Sequence, residues 1–86
     1  MMVKIHLYSD PAHGWLKVSY NDLAKHGLLG AISGYSYMRG KDYFLEEDSD
    51  AGMYLQKLKQ KGIQYEIVEH TSNKSSKIRN YARVQW

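Results

Sequence analysis

The chain has 86 residues, a formal charge of +3 and no cysteine. That length makes one small domain with a modest core, and the missing thiols exclude a disulfide framework and a thiolate metal site. No apolar run approaches the roughly 20 residues of a membrane helix, and the N-terminal apolar stretch, broken by Lys4 and His6, does not read as a signal peptide, so a soluble protein of the cytoplasm is expected.

Val3, Ile5 and Leu7 alternate with Lys4, His6 and Tyr8, the period of a half-buried strand. A second strand, Trp15 to Val18, follows a loop that holds the turn residues Pro11 and Gly14, so the pair reads as a hairpin. Ser19 can cap a helix that Gly27 ends, with Asp22 near its positive end. Leu28, Leu29, Ala31 and Ile32 then make an apolar turn. Tyr35 to Met38 and Tyr43 to Glu46 read as two strands around the turn Arg39-Gly40-Lys41-Asp42. A second helix spans about residues 50 to 61. It has Asp48, Ser49 or Asp50 as cap and Ala51, Tyr54 or Leu55, and Leu58 as inner stripe, and Gly62 ends it. Ile63, Tyr65 and Ile67 alternate as a further strand, residues 71–76 form a polar loop, and residues 78–84 alternate again as a final edge strand.

The expected fold is α+β: an antiparallel sheet covered by two helices, in the order ββα-ββα-β with a last strand. The first two blocks read as two copies of one hairpin-plus-helix unit, each helix covering one face of a shared sheet. Residues 1–86 form one domain, with 71–86 as its basic C-terminal loop and edge strand.

Charge is clustered. Glu46, Glu47, Asp48 and Asp50 stand together, and no acid follows Glu69, while Lys74, Lys77, Arg79 and Arg83 do. In the tail, Lys74, Ser75, Ser76, Lys77, Arg79 and Arg83 offer donors for phosphate. Tyr81 between two arginines, with Trp86 beyond and Trp15 in the hairpin, offers rings for stacking. The competing reading of the tail is a solvated edge strand whose cations discourage aggregation. His13 with Asp10 could instead serve a small hydrolase or nuclease, although no nucleophile motif accompanies them. The acidic run could engage a basic host protein, or simply be an exposed helix start. The four histidines are scattered without zinc-site spacing. No metal or cofactor is expected.

Residues 9–18, 32–51 and 69–81, beginning "SDPAHGWLKV", "ISGYSYMRGK" and "EHTSNKSSKI", resemble a family of small proteins encoded by bacteriophages and plasmids. The resemblance implies an accessory protein acting in an infected bacterium, such as an inhibitor of restriction or CRISPR defence. Together with the tail, it sets the expectation of a non-enzymatic binder of an anionic ligand (nucleic acid or a nucleotide) or of a host protein. Exposed aromatic sheet edges add an expectation of a homodimer.

Overall fold

The structure, a computed structural model, describes residues 2–85. Trp86, counted above with the tail, lies outside the described residues. In chain order the elements are β1 (Val3–Ser9), β2 (Gly14–Ser19), α1 (Tyr20–Lys25), β3 (Tyr37–Arg39), β4 (Asp42–Glu46), α2 (Asp50–Gln60), β5 (Tyr65–Thr71), a 3-10 turn (Lys77–Asn80, the tail turn) and β6 (Ala82–Arg83). The described residues build the expected α+β fold on one six-stranded sheet, ordered β5-β1-β2-β4-β3-β6.

Both hairpins form, and they sit side by side. Their inner strands β2 and β4 pair antiparallel, with Leu16 opposite Leu45. The two helices also end alike. Gly27 and Gly62 adopt φ of 70°, and the next amide reaches back to a helix carbonyl, Leu28 to Leu23 at 2.8 Å and Ile63 to Leu58 at 2.9 Å. Such a left-handed stop favours glycine because a Cβ is strained there. The starts differ. Ser19 caps α1, its hydroxyl accepting from the Asp22 N–H at 3.1 Å. Ser49 makes no side-chain cap to α2. Instead the buried Asp50 carboxylate accepts from the Ser33 N–H at 3.1 Å and from the hydroxyls of Ser33 and Ser36, which ties the loop before β3 to the helix.

Three expectations are corrected. The sheet is mixed, because β5 runs parallel to β1 from Val3 opposite Tyr65 to Ser9 opposite Thr71. The helix α2 carries the chain back to the end where β4 began, so β5 must run in the direction of β4. That is also the direction of β1, since both are antiparallel to β2. Period-two alternation shows a strand's faces but not its direction.

Second, both helices cover the same face. Leu23 of α1 and Ala51, Tyr54 and Leu58 of α2 share one buried cluster with Ile5, Leu16, Val18, Tyr43 and Leu45. Third, residues 78–84 are not one strand. Ser76 caps the tail turn, its hydroxyl accepting from the Ile78 N–H at 3.2 Å, and only Ala82 and Arg83 pair with β3. A strand would put Ile78 and Val84, six residues apart, on one face. Here Val84 joins the helix-side cluster, whereas Ile78 is buried with Trp15 and Phe44 in a second cluster on the opposite face. The tail therefore crosses the sheet edge at β6, which is the edge strand expected, but short.

Candidate functional site

The face away from the helices, the tail face, carries the odd-numbered side chains of β2 and the even-numbered ones of β4. Trp15 pairs with Glu46 and Lys17 with Phe44. The tail turn lies over them and is fastened to the β1–β2 loop by one carboxylate. The Asp10 side chain is 1% exposed. Its Oδ1 accepts from the N–H groups of Ala12 at 3.0 Å and His13 at 2.9 Å. Its Oδ2 accepts from the Ser76 N–H at 3.0 Å, and the Arg79 guanidinium donates to both oxygens, at 2.7 and 3.1 Å. Arg79, and after it the Ser76 N–H, hold the Asp10 carboxyl well below the usual carboxylate range despite its burial. The same bond raises Arg79.

Asp10 is thus a clamp between loop and tail. It meets His13 through the backbone N–H and not through the ring, so the orientation that a His13–Asp10 catalytic pair requires is not formed. The His13 ring stands beside Trp15, with centroids 6.2 Å apart, and its Nδ1 lies 3.9 Å from Glu46 Oε1.

Two clefts open on this face. The first, about 400 Å³, is lined by His13, Trp15, Tyr37, Glu46, Arg79 and Arg83, with the exposed Tyr35 at its margin. The second, about 540 Å³, gathers Lys17, Arg39, Lys74 and Lys77 around Tyr8, Phe44 and Tyr81, with Ser72, Ser75, Ser76 and Asp42 among its other lining residues. Each arginine of this face rests on a ring. Arg79 lies 5.3 Å from the Trp15 centroid, Arg83 4.7 Å from Tyr37 and Arg39 5.4 Å from Tyr81, distances at which a cation is attracted to the ring face. Arg79 is committed to Asp10, and Arg83 donates to the Gly34 carbonyl at 3.1 Å. The Trp15 indole Nε1–H is buried without an acceptor among the described residues.

Among the described residues, the structure therefore brings the expected tail residues to one face but divides them. Trp15, Arg79 and Arg83 line the first cleft, and Lys74, Ser75, Ser76, Lys77 and Tyr81 the second. Sequence reasoning missed Tyr8, Lys17, Tyr37 and Arg39. Alternation does place Lys17 on the face of Trp15, but which strands lie beside it depends on pairing that no local pattern encodes.

The acidic run does not present its four carboxylates together. Asp50 is buried under its serine donors, and Glu46 turns toward His13. Glu47 lies so close over Gly14 that a Cβ there would come within 2.6 Å of its Oε2. Asp48 is exposed. Among the described residues, no helix is long and apolar enough to cross a membrane. No protein-family model matches this chain, and neither does any curated protein or solved structure, so the functional reading rests on the geometry.

Proposed function

We propose that the protein is a non-enzymatic binder of single-stranded nucleic acid, taken along the tail face of the sheet. The observation that carries this reading is the second cleft, where Lys17, Arg39, Lys74 and Lys77 surround Tyr8 and Tyr81. A cationic groove that tracks the backbone, with rings on which bases stack, is the general means of holding a single strand without reading its sequence. Four cations exceed what one mononucleotide needs, which favours a polymer over a nucleotide. On the resemblance to phage- and plasmid-encoded proteins, its setting is the cytoplasm of a bacterial host.

Fluorescence anisotropy with a labelled single-stranded oligonucleotide tests the proposal. Binding at low salt is expected, with log affinity falling linearly against log salt by about 0.7 for each phosphate neutralised. Replacing both Lys74 and Lys77 with Ala should make that slope shallower by about 1.4. Tyr81→Ala should cost about 1–3 kcal/mol of binding. Absence of binding at low salt, or an unchanged slope in the double variant, sinks the reading.

A further inference from the structure

We propose that His13, Glu46 and Asp48 form a divalent-cation site at the edge of the first cleft. One imidazole nitrogen and two carboxylate oxygens from these residues lie within 4.8 Å of one another. Ligand atoms on a single ion at about 2.1 Å stand about 3–3.5 Å apart, so the site closes with a shift of about an ångström. The side chains that must move are the exposed ones, His13 and Asp48. Glu46 is already set. Its Oε2 accepts from the Asp48 N–H at 2.9 Å and from the Ser49 hydroxyl at 3.4 Å, which leaves Oε1 toward His13. The His13 backbone is fixed as well, because its N–H is held by the Asp10 clamp.

The first cleft opens beside the same residues, with Trp15 lining it next to His13 and Glu46. Three protein ligands leave coordination positions open to water or to an anionic oxygen, and Arg83 lines the cleft that such an oxygen would enter. Mixed imidazole and carboxylate donors suit Zn²⁺ or a neighbouring first-row ion better than Ca²⁺ or Mg²⁺, which take oxygen ligands. The site shares no residue with the second cleft and does not depend on nucleic-acid binding.

Titration calorimetry of Zn²⁺ into the full chain, with no nucleic acid present, tests the assignment. One ion per chain is expected. His13→Ala and Asp48→Asn should each weaken it by about tenfold or more. Both side chains are exposed, and circular dichroism verifies that the variants are folded. His6→Ala is the control, because the close histidine pair of His6 Nδ1 and His70 Nε2 at 2.9 Å could also chelate zinc. It should leave the binding unchanged. Absence of binding overturns the proposal, as does binding that survives His13→Ala or is lost in His6→Ala.

Discussion

The two faces of the sheet are held by different means. On the helix face, α1 and α2 press on Leu16, Val18, Tyr43 and Leu45, and Leu23, Leu45 and Leu58 are excluded from water almost completely. On the tail face one 3-10 turn sets Ile78 on Trp15 and Phe44, and a single carboxylate, Asp10, receives the turn's arginine and a backbone N–H. Apolar area spread over many residues secures the first face, whereas a few anchors and one ion pair secure the second. Rings and cations are therefore left lining clefts on the tail face, where a ligand can reach them.

That difference can be broken from either side. Leu45→Ala removes a fully buried side chain from the helix face and should cost about 2–5 kcal/mol, a large part of the stability of a small domain. The loss should appear as a lower midpoint of cooperative unfolding in urea. Asp10→Asn keeps the shape of the clamp but removes its charge. Its expected outcome is local, with faster hydrogen exchange over residues 76–83 and weaker oligonucleotide binding, and a smaller change in the unfolding midpoint than Leu45→Ala produces. If Asp10→Asn lowers the midpoint as much as Leu45→Ala, or leaves the tail amides fully protected, the two faces are one cooperative unit and the contrast fails.

Acid should separate the faces as well. His26 ends α1, is buried, and stands edge-on to Tyr54 of α2, with ring centroids 5.8 Å apart. Burial, followed by the positive charges of Lys61 and Lys25, lowers its pKa below the ordinary histidine value; Lys61 Nζ is 3.0 Å from its Nδ1. A group that is harder to protonate in the fold than in the unfolded chain stabilises the fold above the unfolded pKa, about 6.5 for histidine. That stability is lost as pH falls toward the lowered value. Asp10 is also depressed, so its contribution is present above the ordinary carboxylate pKa and fades only well into acid. Between pH 7 and 5 the melting temperature should therefore fall through His26 while the clamp holds, and His26→Gln should flatten the fall. An equal fall in the variant would assign the effect to another group.

How much of this was legible in the sequence follows from what each element answers to. The hairpins, α2 with its stripe of Ala51, Tyr54 and Leu58, and both glycine stops were readable because periodicity and stop chemistry are local. The direction of β5 was not, since it is set by where α2 delivers the chain. The tail was misread as a strand because Ile78 and Val84 share a parity, and only the sheet edge explains why they are buried on opposite faces. Within the site, the basic tail announced itself by charge. The role of Asp10 did not, because its partners Ser76 and Arg79 lie more than sixty residues away in sequence.

The smallest expected change in stability falls on the tail face. The Asp42 carboxylate is 3.9 Å from Lys17 Nζ, and both side chains are close to half exposed, a pair worth about 0–1 kcal/mol in water. It also pairs in register with Arg39 and lines the second cleft as its acidic residue. Asp42→Asn should thus leave the melting temperature almost unmoved. It should raise oligonucleotide affinity, because Lys17 no longer shares its charge with the Asp42 carboxylate and can turn to phosphate. The salt dependence should steepen by up to about 0.7 as one more phosphate is neutralised. A substitution silent in melting but favourable in binding is what a ligand-holding face predicts. A face that serves only to cover Trp15 and Phe44 predicts no gain in affinity at all.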